Sequence, residues 1–244
     1  MPSLDSTIKL PPRWSDDPLS SFMTDAFKNS LASFVRRRGE FDMLLRVHRN
    51  FAKICDNLSN PPDFLGAILI VRSHGAYLAA VRQAISGQLP ETFPLLRACL
   101  EHALYGLHIN NNPGLGVTWI QRHEDAASLK AMKKAFQHVA VMNTLKSCDA
   151  RLYATLEMLY ERTIDFGAQP NERAVAGSMT MTESKDRKDF GAKLLDDDDT
   201  ALAHASKSSA QIGLGALCCF EMVFRDRFRL LGIDMDLESL KNIL

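Results

Sequence analysis

Glycine-rich phosphate loops, paired cysteines and metal-ligand spacings are all missing from this 244-residue chain, and each absence removes a class of function. Gly114-Leu115-Gly116 is the nearest approach to a phosphate loop, and it lacks the further glycines and the strand–helix setting that such loops need. The five cysteines, Cys55, Cys99, Cys148, Cys218 and Cys219, are odd in number, scattered, and form no C-x-x-C pair. Free thiols in a reducing compartment are therefore expected. No glutamate is followed three residues later by a histidine, which excludes the Glu-x-x-His pairs of di-iron bundles. H-E-x-x-H and paired Cys/His zinc spacings are absent too. His102 and His108 are six apart and do not share a helix face, so neither a metal nor a cofactor is expected. A nucleophile elbow, G-x-S-x-G, is likewise absent.

Net charge is also lacking. With 29 basic and 29 acidic residues, the chain projects no long-range field toward a polyanion, so charge gives no indication of nucleic-acid binding. The balance is uneven: residues 1–150 hold 17 basic and 13 acidic side chains, against 12 and 16 in the remainder. The apolar runs Phe64–Val71 and Ile212–Phe220 are cut short by Arg72 and Glu221, so no membrane span is expected. The start, MPSLDSTIKLPPRW, has no basic region followed by an apolar stretch. No secretory signal is expected from it, and the cytoplasm is the expected compartment.

What is present is helical periodicity. Residues 1–17, rich in Pro, Ser and Asp, read as an extended arm, and residues 18–244 as a single helical-bundle domain. Asp17-Pro18 opens a helix expected to run to about Leu58, with Phe22, Phe27, Leu31, Phe34, Phe41, Leu45 and Ile54 inward. Ser59-Asn60-Pro61-Pro62 breaks it. Asp63 is placed to cap a second helix reaching about Ser86. Gly87 ends that helix, and Pro90 to Pro94 start a third, which stops at Asn110–Gly114. A fourth helix is expected over about Val117–Leu145, a fifth over about Cys148–Phe166, and a last over Thr200–Leu231 behind the acidic run Asp196–Asp199. Between the last two, Ser178–Glu183 alternates at period two and Phe190–Leu195 is placed to return, a β-hairpin within about 176–195. The expected fold is a mainly α bundle of about six helices with this hairpin inserted before the last. The first and last helices offer amphipathic surface for self-association, so a homo-oligomer is expected.

Chemistry concentrates in the third helix, LLRACLEHALYGLHI, residues 95–109. At about 100° per residue, Glu101 lies about 40° and His108 about 20° round from Arg97, so three ionisable groups share one stripe of an apolar helix. Such groups are costly to bury unless they pair or do chemistry. Arg97 and Glu101 are spaced to pair, and Arg72 of the second helix is a candidate cross-helix partner for Glu101. One reading of Arg72, Arg97, Glu101 and His108 is an ion-pair network that fixes helix register; the other is a polar pocket for a small anionic ligand. Trp119, Arg122 and His123 form a candidate rim facing the 108–114 loop. Lys130, Lys133 and Lys134, with His138 four residues on, and Arg36-Arg37-Arg38 are basic patches without interleaved aromatics, and read as solvated faces.

Arg97-x4-His102 on a helix of an all-α domain is similar to the signature of the HEPN superfamily of nucleotide-binding and ribonuclease domains. That resemblance implies metal-independent RNA cleavage, with His102 transferring a proton and Arg97 stabilising the charge on the phosphorane. Arg97/Glu101, Asn112-Pro113 and Trp119/Arg122 also resemble an R-x3-E, N-P, W-x2-R pattern of bacterial all-helical proteins of unassigned activity, over about residues 64–230.

Overall fold

The computed structural model describes residues 11–61, 64–170, 172–184 and 187–243. At its centre is an αα-hairpin, α3 (Phe64–Ser86) and α4 (Leu89–Asn111), joined by a tight turn at Gly87. Helix α10 (Asp199–Val223) packs against both. Small residues make this close packing possible: Ala210, Gly213, Gly215 and Ala216 sit among Leu214, Leu217 and Phe220, and every residue from Ser208 to Phe220 is buried, so this part of α10 lies in the core. Helix α3 is, among the described residues, the one helix long and apolar enough by composition to cross a membrane; its inner side buries Leu69, Ile70, Ser73 and Tyr77.

Around this centre the expected mainly α architecture is present, but several of the expected helices are broken. The first is two helices, α1 (Pro18–Arg36) and α2 (Arg38–Cys55), divided at Arg37, whose backbone (φ −121°, ψ 47°) leaves the helical region. The Arg37 side chain is held inside by Glu40 (2.9 Å) and by Asp199 at the start of α10 (3.1 Å). The break changes which residues face inward. Helix α2 buries Leu44, Val47, Phe51 and Ile54, whereas Phe27, Leu31 and Phe34 of α1, expected inside, are exposed. Asp17 caps α1 as its sequence position predicts, accepting from the Leu19 and Ser20 N–H groups. The described part of the expected arm, residues 11–17, turns back on α1, with the Trp14 indole donating to Thr24 Oγ1 (2.8 Å). The expected Asp63 cap lies outside the described residues.

The expected fourth helix is three: α5 (Leu115–Ile120), α6 (Ala126–Ala135) and α7 (His138–Cys148). A 3-10 turn at Gln121–His123 and a new cap at Asp125 separate the first two, and Phe136-Gln137 separates the last. Helix α8 (Ala150–Thr163) follows, capped by Asp149, and runs into a π-type turn at Ile164–Ala168. After α9 (Glu172–Gly177) comes the expected hairpin, β1 (Met179–Ser184) antiparallel to β2 (Arg187–Ala192), with Met181 opposite Phe190. Beyond α10, α11 (Arg225–Leu230) and α12 (Ile233–Leu240) close the bundle, and α12 packs on α2 and α10.

The two ends of the hairpin region meet the α3–α4 turn and the first turn of α4. Gly87 (φ +88°) accepts from the Asp196 N–H (2.8 Å), and any Cβ there would lie 2.3 Å from the Asp196 carbonyl oxygen. At Gly167 (φ +151°) a Cβ would lie 2.2 Å from the Pro90 carbonyl oxygen. Both positions combine left-handed backbone with backbone-to-backbone contact, and only glycine satisfies the two together.

Candidate site beside helix α4

Helix α4 presents Arg97 and Glu101 one turn apart, and the Arg97 Nε donates to Glu101 Oε1 at 2.9 Å. The same carboxylate oxygen accepts from the Tyr160 hydroxyl of α8 at 3.0 Å. The guanidinium lies over the Tyr160 ring, 4.9 Å from its centroid. His138, the first residue of α7, stacks on that ring with centroids 4.0 Å apart. Three helices thus converge on a pocket of about 160 Å³, with Leu104 and Val141 as apolar lining and Tyr105 and Phe136 at its side.

The pair is neither buried nor free. The Arg97 side chain is 24% and Glu101 39% exposed, so water screens their attraction without abolishing it. Glu101 and Tyr160 together hold the Arg97 guanidinium above its ordinary range, although burial works against that. Burial first, and then the neighbouring Glu101 charge, push the Tyr160 hydroxyl up, so it stays a protonated donor. Burial lowers His138, and Arg97 adds to the effect against the pull of Glu161, Glu101 and Glu157, which favours the neutral imidazole. Beyond their approach to Tyr160, the terminal nitrogens of Arg97 make no hydrogen bond with the described residues.

Arg72 is not in this network. It is exposed, forms no ion pair with Glu101, and acts instead on His102, whose imidazole is lowered mainly by burial and further by the Arg72 charge. The His102 Nδ1–H donates to the Ala98 carbonyl one turn back. Arg97 and His102 are therefore held by different partners. His108, on the Arg97 stripe by periodicity, is buried farther along α4. Its Nε2–H donates to the Ala135 carbonyl (3.1 Å) and its Nδ1 accepts from the Thr144 hydroxyl (2.7 Å), a satisfied neutral core histidine joining α4 to α6 and α7. Among the rim candidates, Trp119 packs against the core and His123 is exposed. Arg122 is half-buried near Tyr105, whose hydroxyl burial and the Glu101 charge push up against the opposing charge of Arg122, and the Arg122 Nε is buried without a partner among the described residues. Lys130, Lys133 and Lys134 are exposed, as expected of a solvated face.

Tyr160 and the stacking of His138 are missing from the sequence-based site. A tyrosine ending an inward row with Leu152, Leu156 and Leu159 was the available signal, because a buried ring needs a partner for its hydroxyl. Among the described residues no group of three or more metal-ligating side chains occurs. Comparison with protein-family models, with curated proteins and with solved structures finds no match to this chain.

Proposed function

We propose that this is a self-associating helical-bundle protein that binds a small anion in the pocket formed by α4, α7 and α8. The observation that carries the reading is the Arg97 guanidinium at the pocket, fixed at Nε by Glu101 and lying against Tyr160, with no hydrogen bond from its terminal nitrogens to the described residues beyond that approach to Tyr160. A guanidinium fixed at Nε offers its outer edge as a two-pronged donor to a carboxylate or phosphate. A pocket of about 160 Å³ has room for a ligand of phosphate or short-chain carboxylate size.

The test is thermal unfolding with increasing inorganic phosphate or acetate. A saturable rise in Tm for the natural chain, lost in Arg97→Ala, supports the reading; equal rises in both proteins reject it. The HEPN resemblance makes a competing proposal, metal-independent ribonuclease action through Arg97 and His102. Incubation with RNA in the presence of EDTA separates the two. Cleavage lost in both Arg97→Ala and His102→Ala supports the nuclease, and equal background in all three proteins rejects it.

A further inference from the structure

Helix α1 is attached to the bundle by the wrong side for an amphipathic helix. Its two buried residues are Ser20 and Ser33. It is fixed by hydrogen bonds, with the Ser33 hydroxyl donating to the Ile85 carbonyl (2.8 Å) and the Asn29 amide to the Ser86 carbonyl (3.3 Å). Leu19, Met23, Phe27, Leu31 and Val35 face outward, between 45% and 76% exposed. Beside them lies a groove of about 730 Å³ against the end of α3, lined by Trp14, Phe22, Arg82 and Gln83 among others. The Gln83 Oε1 is buried there with no donor among the described residues.

We infer that α1 is the interface of a two-fold homodimer in which the α1 helices of two copies meet antiparallel at Phe27. This rests on, and gives a location to, the self-association in the proposed function. Three features select a second copy as the occupant. The row Leu19, Met23, Phe27, Leu31, Val35 steps by four and is symmetric about Phe27, so a two-fold axis there sets Met23 against the partner's Leu31 and repeats the same contact in reverse. Such an i±4 row is the ridge that packs into its own kind in the commonest class of helix contact.

Charge gives the direction. Asp16, Asp17 and Asp25 outweigh Arg13 in the first half of α1 and its approach, and Lys28, Arg36 and Arg38 outweigh Asp42 in the second half and its exit, so antiparallel pairing sets a net negative end against a net positive one and parallel pairing sets like signs together. Area fits a small, dissociable interface. The α1 row amounts to about three fully exposed large side chains, and Phe22 and Arg82 extend it across the groove, at the low end of the roughly 800 Å² per partner of a standard interface. A lipid surface fits less well, because helices that lie on membranes spread Lys and Arg along their polar face, whereas α1 gathers Asp toward one end and Lys and Arg toward the other.

Sedimentation velocity of the full chain tests this, beside Phe27→Glu and beside Phe27→Cys made in a Cys148→Ser background. The expected results are a dimer for the natural chain, a monomer with unchanged helical circular dichroism for Phe27→Glu, and a disulfide-linked dimer on mild oxidation of Phe27→Cys. Val139→Cys in the same background, at an exposed site on α7, is expected to remain unlinked. A natural monomer overturns both the interface and self-association. A dimer that persists in Phe27→Glu overturns the interface alone. If Phe27→Glu fails to fold, the cross-link decides, and linkage no faster in Phe27→Cys than in Val139→Cys overturns the inference. A monomer that sediments with phosphatidylcholine vesicles overturns it in favour of lipid. The phosphate response through Arg97 is expected to survive Phe27→Glu, so the two sites fail separately.

Discussion

Helices α1 and α10 are both long, both carry several large apolar residues, and meet opposite fates. Helix α10 buries sixteen residues, including six consecutive apolar or small positions from Gly215 to Phe220, while α1 buries two serines. The difference lies in what each can approach. Ala, Ser and Gly let α2, α3, α4, α8 and α12 close on α10 from several sides. Helix α1 touches the bundle through its small polar side and keeps its large side chains outward. Apolar content alone therefore does not locate the core; the placement of small residues decides which surface other helices can reach.

The contrast breaks most readily at Phe220. Its ring is fully buried, and Phe220→Ala is expected to cost about 3–5 kcal/mol in chemical denaturation. Gly213→Ala comes next: a Cβ there would lie 2.6 Å from the Tyr77 ring and 2.7 Å from Val47, and the expected loss is about 1–3 kcal/mol. A near-neutral result would show α10 to be loosely packed.

A third test uses pH. His74 of α3 meets His48 of α2 at 3.0 Å and stacks on Phe51. Burial and the His48 charge bring His74 down to about 4 from 6.5. Between those values the unfolded chain binds the proton that the folded chain refuses, so stability falls as pH falls from 6.5 toward 4 and is unaffected by this group above that window. His74→Phe is expected to flatten that part of a Tm-against-pH curve; an unchanged slope assigns it elsewhere.

Arg97→Ala is expected to cost only about 0.5–1 kcal/mol, the range of a screened pair, rather than the several kcal/mol of a buried one. Smallest of all, Leu19→Ala on the outer row of α1 is expected to change monomer stability by less than about 0.5 kcal/mol. A larger loss under dissociating conditions would mean that α1 is covered within its own chain, and the comparison would fail.

The boundaries of α3 and α4 are legible because proline and glycine mark them, and the hairpin because its alternation differs in period from everything around it. Arg37 and Phe136 carry no such mark. Arg37 leaves the helix because Glu40 and Asp199, the latter 162 positions away, hold its side chain, and no local pattern encodes that distance. The site divides in the same way. Arg97 with Glu101 is a local pair and follows from spacing, while the assignment of Arg72 to Glu101 and the omission of Tyr160 both turn on how helices rotate against one another. His108 has the right phase on the helix but the wrong height along it.

The two glycine contacts beside the α3–α4 turn have a consequence for how this chain is threaded. Residue 167 leaves the bundle against Pro90 at the start of α4, and residue 196 rejoins it against Gly87, three positions earlier in the chain. Everything between is spliced in at a single doorway. The chain thus leaves and re-enters the bundle at one end of the α3–α4 hairpin, and Gly87 and Gly167 are the two positions at which a side chain would close that passage.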